Sequence, residues 1–204
     1  MRVIFKENRF AGGARTVKGT ATMRRLFAAI RPPRPIRQRL LAAMGGVRGA
    51  RWLDEDQLHL TLRFIGEVDR HVAGDVHAAL GAVHHPVFEI ALSGIGAFER
   101  RGQPTTIWAG VTPHEPLKAL HKKIDQACLR AGVEPDRRAY MPHITLARLG
   151  RGGGPVQARI EDSGALTGER FAVDEFRLYE SELGAHGPIY SLVASYPLKR
   201  DPAG

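Results

Sequence analysis

The chain repeats a short unit: a histidine, an apolar residue, a threonine and a second apolar residue. It reads His59-Leu60-Thr61-Leu62 within QLHLTLRFIG and His143-Ile144-Thr145-Leu146 within PHITLARL. Side chains alternate between the two faces of a strand. Each unit therefore sets an imidazole and a hydroxyl on one face. Leu58, Leu60, Leu62 and Phe64, or Ile144 and Leu146, take the other. Strict alternation also puts Arg63 on the face of His59 and Thr61. Such a strand needs an apolar layer behind it and an open side in front. A chain with two of them needs a fold that buries two sheet faces.

The surroundings of the two units also repeat. Arg24–Arg31 reads as a strand, a helix follows from about Pro35 to Met44, and Gln57–Glu67 is the first motif strand. Asp69–Val83 is helical, with Val72, Val76, Ala79 and Val83 on one side, and Val87–Ile95 alternates as a strand. The order then recurs: a strand over Thr105–Val111, a helix over Glu115–Ala131, and the second motif strand His143–Leu149. A short helix follows near Val156–Glu161, with closing strands over Phe171–Glu180 and Ile189–Leu198. His59 lies 28 residues after Arg31, and His143 lies 32 residues after Val111. These similar spacings predict a degenerate duplication. The expected fold class is α+β: two similar lobes, each a mainly antiparallel sheet with outer helices, and an active cleft between the sheets.

Residues 1–22 show no periodicity and read as a flexible N-terminal extension. The folded domain is expected over residues 23–200, with 201–204 as a tail. The formal charge is +9, from 30 basic and 21 acidic side chains. The extension holds five basic residues against one acid, so it carries +4 and the rest only +5. A basic balance favours anionic partners. The single cysteine, Cys128, excludes an intrachain disulfide and reads as a buried structural thiol in a reducing compartment. No apolar run reaches the roughly 18 residues that a membrane span requires. A cytoplasmic monomer is the expectation, with no membrane contact.

Two such strands brought face to face surround one cavity with two imidazoles and two hydroxyls. A phosphate suits that cavity. Thr61 and Thr145 donate hydrogen bonds to its oxygens, and the histidines stand on either side of phosphorus. In-line displacement needs a base behind the attacking water and an acid behind the leaving oxygen. Histidine serves as either near neutral pH. The scheme calls for no metal and no cofactor.

The two units, with RRLFAAIRPP, LHLTLRFIGEV, SGIGAFERRGQPTTIWAGV, MPHITLARL and YSLVASYPL, resemble the two-histidine phosphoesterase superfamily. Within it they resemble the RNA 2′,3′-cyclic phosphodiesterases, also called 2′-5′ RNA ligases. The resemblance covers about Arg24 to Leu198. It implies that His59 is the proton donor to the leaving ribose oxygen and His143 the acceptor that activates water. It implies a 2′-phosphomonoester product, with RNA ends or cyclic nucleotides as substrates. Some members also join RNA ends through a 2′-5′ linkage. Arg148 matches an arginine that the family holds near the phosphate, five residues after the second histidine. Alternation turns Arg148 away from His143 unless a bulge re-aims it. Arg63 is the second candidate phosphate ligand. Phe27 and Tyr140 are candidates for stacking on a base.

Two rival readings stay open: a reversible 2′-5′ RNA ligase or a phosphodiesterase for another cyclic nucleotide, and a module that binds nucleotides or RNA ends without turnover. Other patterns fail. His84 and His85 are adjacent and point apart on regular structure, which argues against a metal site. Gly152-Gly153-Gly154 lacks the lysine of a phosphate loop. Gly94 and Gly96 open no helix, and Ser181 has no nucleophile-elbow context.

Overall fold

The computed structural model describes residues 23–150, 153–161, 166–184 and 187–199. The expected extension and tail lie outside them. The strands are β1 (Arg24–Ile30), β2 (Ala50–Trp52), β3 (Leu60–Val68), β4 (Phe88–Arg100), β5 (Gln103–Thr112), β6 (His143–Leu149), β7 (Thr167–Val173), β8 (Glu175–Gly184) and β9 (Gly187–Pro197). The helices are α1 (Arg34–Ala42), α2 (Arg70–Gly81), α3 (Glu115–Arg130) and α4 (Gln157–Glu161).

Local chemistry explains the boundaries. The prolines at 32 and 33 end β1 and α1 starts behind them. The Asp69 carboxylate caps α2 by accepting from the amides of His71 and Val72. Gly132, at φ +82°, takes the left-handed conformation that follows the end of α3. Leu117, Leu120, Ile124 and Cys128 form the buried face of α3.

The strands form one antiparallel sheet in the order β7-β4-β5-β6-β3-β1-β8-β9, with β2 on β6. The order is pseudo-symmetric about the β6–β3 junction. On one side β3 is followed by β1, β8 and β9; on the other β6 is followed by β5, β4 and β7. The halves meet at a single residue pair, Leu60 with Ile144. The two motif strands are thus neighbours that touch at one point and then diverge.

The chain does not divide as the repeat suggests. The closing strand of the first repeat, β4, pairs with β5 in the second lobe. The last strands, β8 and β9, return to β1 in the first lobe. The second lobe is therefore inserted into the first. The expected single strand over Phe171–Glu180 breaks at Asp174, and each part joins a different lobe. Strand β2 was not anticipated; three residues are too few to show a period.

One large core lies behind the sheet. It holds the inward residues of β1 (Leu26, Ala28, Ile30), of the motif strands (Leu60, Leu62, Ile144, Leu146), and the faces of α2 and α3. Burying each such leucine stabilises by about 1.5–3 kcal/mol. A second, small cluster lies on the open face of the first lobe: Phe27, Ala29 and Tyr179, with Tyr190 packed on them. No helix among the described residues is long and apolar enough to cross a membrane.

Candidate active site

The Leu60–Ile144 pair joins the middle residues of the two histidine-x-threonine units. Leu60 and Ile144 are fully buried, so the residues flanking each point to the opposite, open face. In antiparallel register His59 lies toward Thr145 and Thr61 toward His143. The pseudo-twofold axis runs between the four side chains.

Each imidazole is held in the same way. His59 Nδ1 is 2.7 Å from the carbonyl oxygen of Gln57, and His143 Nδ1 is 2.7 Å from that of Met141. A carbonyl oxygen only accepts, so each Nδ1 carries a hydrogen and each Nε2 is left to exchange a proton. A short 3-10 turn, Glu55–Gln57, supplies the first of these carbonyls. His59 stands just before β3, not within a strand as expected. The rings are braced by aromatic neighbours. Phe27 (4.9 Å between centroids) and Tyr190 (5.2 Å, edge-on) flank His59. Phe98 (4.8 Å, edge-on) and Trp108 (6.2 Å) flank His143. Trp108 lies across Gly96, where a Cβ would come within 2.3 Å of the indole. A glycine is required there for the indole to support His143.

Burial lowers the pKa of both imidazoles. His59 falls to about 4; desolvation dominates over the raising effect of the Gln57 carbonyl, and His143, Arg148 and Arg31 add positive charge. His143 is lowered by the same main cause, with Arg148 contributing. In the free protein both are therefore neutral at pH 7.

Each motif strand carries a bulge at the same place. Between β1 and β3 the register shifts at Leu62, and between β5 and β6 at Leu146. After the bulge the alternation is reversed. Arg148 turns onto the histidine face, exposed, where it lines a cavity of about 440 Å³ with His59. Phe64, five residues after His59, emerges on the same face.

The bulge also overturns the expectation for Arg63. This residue is 4% exposed and faces the helices. Its Nε donates to Asp125 of α3 at 2.6 Å, and its two terminal nitrogens donate to the carbonyl oxygens of Phe64 and Glu134. It braces β3 against α3, and its burial on the helix side keeps it out of the cavity lining. His121 of α3 adds to the brace, donating to the carbonyl oxygen of Leu62 at 2.7 Å.

The two stacking candidates are also corrected. Phe27 lines the cavity, but it is 4% exposed and its face is stacked on Tyr179 at 5.3 Å. Tyr140 is stacked on His121 at 4.0 Å and packs on the core, outside the cavity lining. Phe27 thus offers no open face to a base, and Tyr140 has one ring face covered by His121. Thr61 and Thr145 are half-buried on the faces of their histidines. His85 is buried with Nδ1 2.8 Å from the Pro86 carbonyl oxygen. Among the described residues no group of three histidine, cysteine or acidic side chains could hold a metal. Cys128 is buried, and desolvation pushes its thiol up to about 11.

Sequence reasoning missed Arg25, Arg51, Arg138, Phe64 and Tyr190 in the cavity wall. Arg25 and Phe27 are two apart on β1, and that alternation was a usable signal. Arg51 and Arg138 lie in segments without periodicity and offered none.

A profile of the 2′-5′ RNA ligase superfamily matches residues 22–185. RNA 2′,3′-cyclic phosphodiesterase of Aeropyrum pernix is 31% identical over 156 residues, 74% of this chain and 87% of that protein. The Archaeoglobus fulgidus protein of the same name is 30% identical over 169 residues, covering 81% and 96%. That of Geobacillus stearothermophilus is 34% identical over 155 residues, but this chain spans about half (49%) of its length. The crystal structure of Escherichia coli LigT complexed with 3′-AMP superposes with a TM-score of 0.71 at 27% identity, covering 87% of this chain and 99% of that one. The chain belongs to the 2′-5′ RNA ligase superfamily of phosphoesterases.

Proposed function

We propose that this chain hydrolyses the 2′,3′-cyclic phosphate of RNA ends or nucleotides to a 2′-phosphomonoester, without a metal ion. The observation that carries the reading is the pair of imidazoles on opposite sides of the Leu60–Ile144 junction, each with Nδ1 donating to the carbonyl two residues back. That arrangement leaves the Nε2 atom of each ring to exchange a proton, and in this reading one acts as acid and the other as base on the same phosphate. The names of the relatives point the same way.

In this scheme His143 Nε2 takes a proton from water, and the water oxygen attacks phosphorus. The bond from phosphorus to the 3′-oxygen breaks, and His59 gives that oxygen its proton. Thr61 and Thr145 donate to non-bridging oxygens, and Arg148 neutralises the charge that builds on them. Such a guanidinium-to-phosphate contact stabilises by about 1.5–3 kcal/mol. Substrate also corrects the protonation state. Desolvation and arginine charge depress both imidazoles in the free protein; a bound phosphate anion raises both, so the donor acquires its proton in the complex. A cytoplasmic setting and a monomeric state belong to the same proposal.

The test is incubation with adenosine 2′,3′-cyclic phosphate in excess EDTA, followed by phosphorus NMR against both monophosphate standards. The expected product is the 2′-phosphate. A 3′-phosphate puts the donor on the wrong side of phosphorus. Activity lost to chelator and restored by zinc or manganese overturns the metal-free scheme.

A further inference from the structure

Five cationic or potentially cationic groups converge on the cavity: His59 and the guanidinium groups of Arg25, Arg51, Arg138 and Arg148. No carboxylate lines it among the described residues. Arg138 is neutralised, since it holds Asp136 through two contacts of 2.9 and 2.7 Å. None of Arg25, Arg51 and Arg148 is ion-paired to a described carboxylate. Their charges are close enough for all three to act on the Tyr190 hydroxyl.

Arg51 and Arg148 are also direct cross-strand partners in the β2–β6 pair. Like charges in that position destabilise a sheet. Arg51 reaches over the cleft to the β8–β9 hairpin, where its Nη1 lies 3.0 Å from the position a Cβ would take on Gly187. Gly187 has φ +135°, so both its backbone and this close approach favour glycine.

The charge count exceeds what the reacting group needs. A cyclic phosphodiester carries one negative charge, and Arg148 beside the two histidines already balances it. Arg25 and Arg51 are surplus to a monoanion. We propose that these two arginines form a second phosphate subsite, which takes the phosphate on the 5′ side of the terminal nucleotide. The subsite rests on the function proposed above and narrows it: the cleft is built for strand ends in preference to nucleosides that bear only the cyclic phosphate. Opposed arginines in β2 and β6 then hold consecutive phosphates of one strand, which removes their mutual repulsion.

Three substrates test this: adenosine 2′,3′-cyclic phosphate, its 5′-phosphorylated form, and the dinucleotide ApA ending in a 2′,3′-cyclic phosphate. Arg51→Gln and Arg25→Gln are each expected to raise KM about 10-fold for the last two, the loss of one charge-assisted contact. KM for the first substrate stays within about twofold. Arg51→Lys restores most of the loss. Added salt raises KM for the dinucleotide more steeply than for the first substrate. Should Arg51→Gln fail to fold, Arg25→Gln and the salt series of the parent protein decide alone. An equal rise in KM for all three substrates, or no rise for any, overturns the subsite. A parent protein that turns over none of them overturns the proposed function, which is a different result.

Discussion

The β3 and β6 motif strands share a skeleton and differ in what is attached to it. Both hold the histidine Nδ1 with the carbonyl two residues back, both bulge at the third residue after it, and both turn the fifth residue onto the open face. The residues at the reversed positions diverge. In β3 the fourth and fifth positions are Arg63, buried as a brace, and Phe64, exposed in the cavity. In β6 they are Ala147, buried without polar work, and Arg148, exposed beside both histidines. Duplication supplies the paired imidazoles; divergence at two positions supplies one cation whose charge acts on both of them and one apolar wall opposite. A symmetric pair of histidines thereby sits in an asymmetric field, which suits a reaction in which one gives a proton and the other takes one.

The largest expected effect tests the symmetric part. His59→Ala and His143→Ala should each lower kcat on a 2′,3′-cyclic nucleotide by about 10²–10⁴-fold, with circular dichroism unchanged. Parent-like turnover in either variant removes that histidine from the chemistry.

The next expectations test the divergent positions. Arg63→Leu removes the partner of the partly exposed Asp125 and the donor to the carbonyl oxygens of Phe64 and Glu134, so stability should fall by about 3 kcal/mol. For a chain of this size that lowers Tm by about 10 °C. An unchanged Tm means that the brace between β3 and α3 is not needed. Arg148→Gln should lower kcat/KM by about 10–100-fold. Phe64→Leu, at the matching position of β3, should change it by less than Arg148→Gln. Equal losses erase the asymmetry.

A smaller effect follows from the depressed pKa of His59. Its folded value of about 4 lies below the unfolded value of 6.5. Between those values the unfolded chain binds the proton and the folded chain does not, so the contribution is present above pH 6.5 and is lost as pH falls toward 4. Its size, allowing for a ring that is only half-buried by surface area, is on the order of 2 kcal/mol. His59→Gln should flatten the fall in Tm between pH 7 and 4. A fall of the same depth in the variant assigns it to other groups.

The comparison also explains which parts of the molecule were legible in its sequence. The motif strands, the helix face of Leu117, Leu120, Ile124 and Cys128, and the α+β class follow from periodicity, and the structure has them. The bulges do not follow. In LTLRFIG the apolar residues at 60, 62, 64 and 65 fit more than one register, and a single extra residue at Leu62 exchanges the faces of Arg63 and Phe64. For β6 the same displacement brings Arg148 to the front, against strict alternation. The insertion of one lobe in the other was hidden for a different reason. Strand pairing depends on partners distant in the chain, and β4 and β8 read alike whichever lobe they join.

The central claim is that His59 donates and His143 accepts, and leaving-group dependence tests it most directly. The two alanine variants should be compared on a 2′,3′-cyclic nucleotide and on a p-nitrophenyl phosphodiester, whose leaving phenolate departs without a proton. The account expects His59→Ala to lose most of its defect on the aryl ester while His143→Ala keeps its full defect on both substrates. The reverse pattern, or defects that stay equal on the two substrates, would contradict it.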